Sequence, residues 1–301
     1  MKYILTRQVL ECDVELEISR ARFETTKAAK ENLVVALGPE EKYDIAIENY
    51  YEYESELLNQ ALRGAMFPYH SWSIGNIQAF SKRLMNMLAA CRLYLDSVRH
   101  DLNLMCRDGG HKAENFREQI SEEYDASMGY RAMDALRNYV QHRALPISSL
   151  EYSSKRESPS HDKYFVVIPY VNLRRLELDR KFKRDILDEL KGLGDRIDIR
   201  PLVREYILAI GRLHNTYRQL VSQDLEAWEY TISGVGEEYR KRSGDEETVG
   251  LAVIAIDDCD QYVESIPVFV GMIERRRLLE KKNQLVDFTK VVITNQVSSS
   301  A

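Results

Sequence analysis

Residues 73–105 decide the fold, and they read SIGNIQAFSKRLMNMLAACRLYLDSVRHDLNLM. Apolar side chains recur there at alternating spacings of three and four residues, a stripe typical of one helix packed on another. The stripe consists of Ile77, Phe80, Leu84, Met87, Cys91, Tyr94, Val98 and Leu102. A partner helix is predicted from about residue 112 to residue 143, loosened at Gly129. These two helices together predict an antiparallel helical hairpin, the basic unit of a helical bundle.

The rest of the chain is also predicted to be mainly helical. With 14 glycines and 7 prolines in 301 residues, long helices are favoured over a strand-and-turn architecture. Further helices are predicted over 25–37, ending at Gly38-Pro39, and over 40–66, 183–191, 201–228 and 266–282. Short strands are predicted at 164–168, where Pro169 favours an edge strand or hairpin, and at 251–256. Residues 148–163 and 233–250 read as loops.

Three consecutive segments are predicted. Residues 1–40 form an N-terminal extension, in which Val14, Leu16 and Ile18 alternate as in a strand. Residues 41–235 form a helical bundle with an inserted loop and short β segment at about 147–182, and residues 236–301 form a C-terminal α/β extension. The predicted fold class is therefore mainly α, with β-hairpin or edge-strand elements in the C-terminal half.

The net charge and the cysteine content limit the classes of function that this chain can have. The net charge of −6 gives no global attraction to nucleic acid, although residues 172–185 and Arg275-Arg276-Arg277 are locally basic. Such charge runs are usually solvated faces. The cysteines are scattered without a Cys-x-x-Cys pair, which indicates a reducing compartment and no zinc site; they are Cys12, Cys91, Cys106 and Cys259. With no signal peptide and no apolar run of bilayer length, we expect a cytoplasmic protein without a membrane partner.

The chemistry-bearing stretch is residues 135–146, which read ALRNYVQHRALP. Arg137 can neutralise a phosphate or a developing oxyanion, Asn138 can orient a hydroxyl, and His142 can move a proton near neutral pH. Together with Asp134 and Gln141 they fall at i, i+3, i+4, i+7 and i+8, on one face of a helix. No acidic or Cys/His cluster with metal-ligand spacing accompanies them, so a two-metal nuclease is not expected.

Spacing by itself is a weak signal. Arg156 and His161 have the same separation as Arg137 and His142, but Ser158-Pro159-Ser160 between them predicts a loop. The polar stripe around residues 134–142 also has two interpretations: a plain solvent-facing surface, or a face turned toward a second copy of itself across a two-fold axis.

The string ALRNYVQHRALP after a long helical hairpin resembles the HEPN superfamily (higher eukaryotes and prokaryotes nucleotide-binding). The hallmark of that family is Arg, a polar residue that is commonly Asn, three more residues and then His, at the end of a bundle helix. The match here is Arg137, Asn138 and His142. The resemblance covers about residues 40–146 and the helix from about 200 to 230, and leaves both ends of the chain unexplained. Ala144 departs from a toxin subgroup that carries Tyr two residues after the His.

The resemblance implies an endoribonuclease that needs no metal or cofactor and works as a homodimer, its paired motifs lining one basic cleft. In that scheme His142 is general base or acid, Arg137 stabilises the phosphoryl oxygens, and Asn138 orients the reacting groups. The RNA-binding candidates are Arg143, Arg131, Arg174 and Arg175, and the supporting polar candidates are Asp134, Gln141 and Asp96. The resemblance also implies a toxin or anti-phage setting, with a neutralising or sensor protein as a possible partner.

Two other functions stay open from the sequence. The same bundle can serve as a non-catalytic helical interaction or nucleotide-binding module. It can also form a structural dimer in which the polar stripe faces solvent and has no further function.

Overall fold

The computed structural model describes residues 1–9, 14–67, 74–105, 110–155 and 164–291. These residues form eight helices and seven strands, and the protein is mainly helical. The chain divides into two compact units. The first unit is Met1–Glu41, Val98–Ala113 and Tyr217–Asn283, and the second unit is Lys42–Ser97, Glu114–Thr216 and Gln284–Ala301. Each unit draws on three separate stretches of chain, whereas the sequence predicted three consecutive segments.

Five long helices form most of the structure: α1 (Arg20–Met66), α2 (Ile74–Met105), α3 (His111–Ala126), α4 (Met128–His142) and α7 (Ile199–Ser243). The prediction for α2 is confirmed. From Phe80 to Leu102 all seven members of its apolar stripe are fully buried, and Ile77 is half-buried. The three-four spacing therefore does mark the face on which this helix packs.

Helix α1 continues through Pro39, so the predicted end at Gly38-Pro39 is wrong. A proline inside a helix removes one N–H donor and crowds the preceding turn. Tertiary contacts of the first unit bind α1 on both sides of the proline. The Tyr217 hydroxyl donates to the Ala36 carbonyl at 3.0 Å, and the Glu40 carboxylate, one residue after Pro39, accepts two hydrogen bonds from Arg218.

The predicted partner helix is two helices, α3 and α4, and the break falls at Ser127 rather than Gly129. The Ser127 hydroxyl caps α4 by accepting the Tyr130 N–H, and donates to the Glu205 carboxylate at 2.8 Å. At Gly129 α4 lies close against α7, because a Cβ there would be 2.6 Å from the Leu202 carbonyl oxygen. The glycine thus serves close packing rather than loosening of the helix.

The first unit contains a four-stranded antiparallel sheet of β1 (Lys2–Arg7), β2 (Glu15–Glu17), β6 (Leu251–Ile256) and β7 (Tyr262–Pro267), in the order β2-β1-β6-β7. Its centre is apolar, with Ile4 opposite Ile254 and both fully buried. The strand predicted at 251–256 is confirmed. The sheet also takes β1 and β2 from the N-terminal end of the chain, whereas the predicted fold class placed β elements in the C-terminal half. Strand β2 lies where Val14, Leu16 and Ile18 alternate as in a strand.

Two boundaries in the C-terminal part of the first unit differ from expectation. Helix α7 extends to Ser243, so the first eleven residues of the predicted 233–250 loop are helical despite two glycines. The helix predicted from 266 begins only at Gly271, as α8 (Gly271–Lys282), because 262–267 pair with β6. The Asp257 carboxylate accepts the N–H groups of Cys259 and Gln261 and closes the β6–β7 turn.

The second unit contains a smaller antiparallel sheet of β3 (Ser149–Lys155), β4 (Tyr164–Asn172) and β5 (Arg196–Asp198), in the order β3-β4-β5. Residues 149–155 were predicted as loop, and they are a strand because β4 pairs along their whole length. Pro169 lies inside β4. The Tyr170 carbonyl accepts the Ser148 N–H, so it points toward β3. The Pro169 nitrogen therefore points toward β5, and β5 pairs with β4 only from Tyr170 onward. The missing donor therefore breaks no ladder bond.

Two short helices complete the second unit: α5 (Leu173–Glu177) and α6 (Arg184–Lys191). The helix predicted over 183–191 is confirmed as α6, with Ile186, Leu187 and Leu190 buried. Helix α5 begins at an Asn172 cap, whose side chain accepts the Arg175 N–H at 3.1 Å.

Candidate functional site

The candidate site lies on α4, and one face of this helix packs against the rest of the second unit. The buried face of this helix carries Tyr130, Met133, Leu136 and Tyr139, with three small residues between them. Met133 and Leu136 pack against side chains of β4, β5, α5 and α6 around a void of only about 10 Å³. Packing of that density holds the helix rigidly. The opposite face is therefore presented in one fixed orientation.

Arg137, Asn138 and His142 occupy the outer face of α4. Arg137 is half-buried, and its Nη1 donates to the Asn138 Oδ1 at 3.1 Å. The Arg137 Nε is buried and has no hydrogen-bond partner among the residues that the structure describes. His142 is the last residue of the helix and is exposed. Because Asn138 and His142 are four residues apart on a helix, their Cβ atoms are about 5–6 Å apart.

The side chains of this triplet are not engaged elsewhere. Within the described ranges Arg137 has no carboxylate partner, and the His142 imidazole has no hydrogen bond or ion pair. By contrast, Arg204 and Arg212 in the same unit each bind a glutamate through two hydrogen bonds. A guanidinium without a carboxylate remains available to an external anion.

The neighbouring Asp134 is neutralised by a lysine rather than by Arg137. Lys183 Nζ lies 3.6 Å from the Asp134 carboxylate and donates to the Tyr124 hydroxyl at 2.8 Å. The Tyr124 hydrogen bond, followed by the charge of Asp134, raises the pKa of Lys183. Asp134 is thus the supporting residue that the structure brings beside the triplet, and Gln141 is exposed on the same helix.

The four arginines predicted to bind RNA differ in their surroundings. Arg131 donates to Glu189 and to backbone carbonyls, so its charge is already matched within the protein. Arg143 follows directly after His142 and also pairs with a carboxylate, Asp179 at 3.1 Å, but its side chain is 48% exposed against 18% for Arg131. Arg174 lies 3.5 Å from Asp195, and Arg175 is exposed.

Arg143 and Arg175 both lie near Tyr139, at the end of α4 that carries His142. Burial raises the pKa of Tyr139, while the positive charges of Arg175 and Arg143 act in the opposite direction. These two arginines are therefore the predicted RNA-binding residues that accompany the triplet. Asp96, on α2, pairs with Arg92 one turn away.

Sequence reasoning missed Asp179 and Lys183 as neighbours of the site. Asp179 is buried and accepts hydrogen bonds from Arg143 and from the Lys181 N–H. Both residues belong to the basic stretch 172–185, and the basic charge of that stretch was the only feature of the sequence that could have indicated them. The loop pair Arg156 and His161 lies outside the described residues.

Comparison with known proteins gives no match: no protein-family model, no curated protein and no solved structure corresponds to this chain. In the described part of the chain, no three His, Cys, Asp or Glu side chains are grouped as a metal site requires. Across the same ranges, no helix has an apolar stretch long enough to cross a bilayer.

Proposed function

We propose that this protein is a metal-independent endoribonuclease of the HEPN type, with Arg137, Asn138 and His142 as its catalytic residues. The observation that carries the proposal is a guanidinium without a carboxylate partner and an exposed imidazole on the same rigid helix face. Those two groups are what phosphodiester cleavage needs when no metal neutralises the phosphate.

The proposed reaction uses the 2′-hydroxyl of the RNA as nucleophile. A base takes the proton of that hydroxyl, its oxygen bonds to the adjacent phosphorus, and the bond from phosphorus to the 5′ oxygen breaks. The leaving oxygen takes up a proton from an acid, so the products are a 2′,3′-cyclic phosphate and a 5′-hydroxyl. Arg137 stabilises the charge that develops on the phosphoryl oxygens, and Asn138 positions Arg137 through their hydrogen bond.

The proton transfers favour a homodimer. The reaction needs both a base and an acid, and the outer face of α4 offers one imidazole per chain at the triplet. A second copy related by a two-fold axis would bring a second His142 to the same cleft. Arg143 and Arg175 would then contact the flanking phosphates, each adding salt-sensitive affinity.

The biological setting that goes with this activity is a toxin or anti-phage defence system, with a neutralising or sensor protein controlling the nuclease, in the cytoplasm. These parts of the proposal rest on the resemblance of the 137–142 motif to the HEPN family. The competing proposal is a non-catalytic interaction or nucleotide-binding module built on the same bundle.

The decisive experiment is cleavage of a mixed RNA pool by the purified full chain in the presence of EDTA. We expect fragments that end in a 2′,3′-cyclic phosphate, detected by mass spectrometry. His142→Ala and Arg137→Ala should each lower the rate about 10²- to 10⁴-fold, the usual range for a general acid–base group. His100→Ala removes another exposed histidine and is the matched control with an unchanged rate.

Two outcomes would contradict the proposal. If the wild-type protein leaves every RNA intact but still binds RNA or nucleotides through α4, the binding module is the better description. If His142→Ala cleaves as fast as the His100→Ala control, the catalytic assignment fails.

A further inference from the structure

The first unit contains an open groove that the proposed nuclease function does not use. It lies between α1, α7 and the segment joining β7 to α8, and its volume is about 940 Å³. Much of its lining is apolar and exposed to solvent: Val249 is 68% exposed, Phe269 55%, Val34 50% and Val270 47%. Small-molecule sites have about this volume and a similar, mostly apolar lining.

Two cations face this groove without a partner. Lys30 on α1 and Arg240 on α7 are both half-buried and line it. Neither forms a hydrogen bond or ion pair with any residue in the described ranges. Glu237, the one carboxylate in the lining, is exposed and also unpaired in that part of the chain. With two cations and one carboxylate, the groove lining therefore carries a net positive charge beside an apolar surface, a combination that favours an anion with an apolar part.

Two glycines lie on the wall of the groove with open space beside them. Gly236 lies inside α7, and a Cβ added there would meet only the Arg240 Nη1 and the Thr248 Cγ2, each at 3.9 Å. At Gly271, the first residue of α8, an added Cβ would meet nothing within 4 Å. A glycine inside a helix is less favourable than alanine. No close packing requires this glycine, and its effect is to leave space beside Arg240.

We propose that this groove binds a small amphipathic anion, a monocarboxylate with an aliphatic tail. Lys30 and Arg240 bind the carboxylate, and the tail lies along Val34, Phe269 and Val270. The two positive charges of Lys30 and Arg240 are complementary to one carboxylate. The exposed apolar lining favours an aliphatic tail, because contact with it removes the tail from water. The same head and tail chemistry occurs in a lipid bilayer, so the experiment separates free ligand from membrane.

Calorimetric titration of the full chain with laurate tests the proposal. We expect saturable binding of one laurate, with acetate failing to bind because it lacks the tail. Dodecanol should bind at least tenfold more weakly because it lacks the charge. Vesicles of phosphatidylglycerol should not retain the protein. Retention by vesicles without binding of free laurate would overturn the proposal in favour of a membrane surface.

Variants place the ligand in the groove. Lys30→Met combined with Arg240→Met keeps the apolar stems and should weaken laurate binding tenfold or more, while Lys241→Met, a neighbouring exposed cation, changes it less than twofold. Gly236→Leu fills the groove and should abolish binding. Gly236→Ala fills little of it, so similar melting temperatures for the two Gly236 variants show that the fold is intact. Unchanged laurate affinity in Gly236→Leu would show that laurate binds elsewhere and would refute the proposal.

Discussion

Arg218 on α7 binds Glu40 on α1 through two hydrogen bonds of 2.9 and 2.8 Å, and the Glu40 side chain is almost completely buried. A third hydrogen bond joins the same guanidinium to the Asn283 carbonyl. A buried ion pair of this geometry adds little net stability, but loss of one partner leaves an uncompensated charge. The pair lies next to Pro39, where the helix lacks one of its own hydrogen bonds.

We therefore expect Glu40→Ala to lower the free energy of unfolding by about 3–5 kcal/mol. The double variant Glu40→Met, Arg218→Met should recover most of the loss, because neither charge then remains buried. Urea denaturation followed by circular dichroism measures both. Breaking the exposed Arg117–Glu114 pair is the control, and it should leave the free energy of unfolding nearly unchanged. If the single and double variants are equally unstable, the buried charge is not the cause.

Gly129→Ala should destabilise the second unit. The added methyl would lie 2.6 Å from the Leu202 carbonyl oxygen, and backbone cannot move aside as a side chain can. We expect a loss of about 1–3 kcal/mol, the usual cost of overpacking. Gly236→Ala, a helical glycine with free space, should instead gain up to about 1 kcal/mol. Thermal unfolding of the two variants gives the comparison, and equal shifts would contradict the close approach of α4 and α7.

The two described cysteines should differ sharply in reactivity. Cys91 is buried, and burial raises the pKa of its thiol to about 12, while Cys259 is exposed. The thiolate is the reactive form, so iodoacetamide at mildly alkaline pH should label Cys259 and spare Cys91 in the native protein. Peptide mass spectrometry reads each site separately. Labelling of both in urea is the control, and rapid native labelling of Cys91 would show that its helix opens.

Acid should weaken the first unit partly through Asp245. The Glu247 N–H and then the Arg7 guanidinium hold the pKa of the Asp245 carboxyl below its usual value. The stabilisation is therefore present above the unfolded-state pKa and is lost as pH falls through the lower folded-state pKa. Asp245→Asn should melt below the wild type at neutral pH, and the difference should vanish in strong acid. Thermal scans across pH test this, and a difference that does not depend on pH would contradict it.

Lys183→Met should impair the candidate active site. Loss of the ammonium frees the Asp134 carboxylate, which lies three residues before Arg137 on α4 and can then pair with it. If Arg137 serves the proposed cleavage, the rate should fall several-fold while the melting temperature changes little. Lys181→Met, an exposed neighbouring cation, is the control. Equal rates in the two variants would show that Lys183 does not keep Arg137 free.

Features encoded by short-range periodicity could be predicted from the sequence. The apolar stripe of α2, helix α6 and strand β6 lie where local patterns placed them, because each pattern repeats within a few residues. The polar face of α4 is of the same kind, since residues 134–142 share a face by helix geometry alone. The sequence also placed Arg137, Asn138 and His142 together, although the free state of Arg137 could not be read from it.

What only the tertiary structure decided depends on residues far apart in the chain. Strand β1 pairs with β6 nearly 250 residues later, and β3 is a strand because β4 offers it a partner. Helix α1 continues through Pro39, and hydrogen bonds from Tyr217 and Arg218, which a local pattern cannot anticipate, bind it on both sides of the proline. The sequence by itself determined the periodic faces of the helices and the composition of the candidate motif. Long-range contacts decided which charges are neutralised, which glycines are closely packed and which faces stay open. The reason is that the environment of each side chain is set by residues that are distant in the sequence.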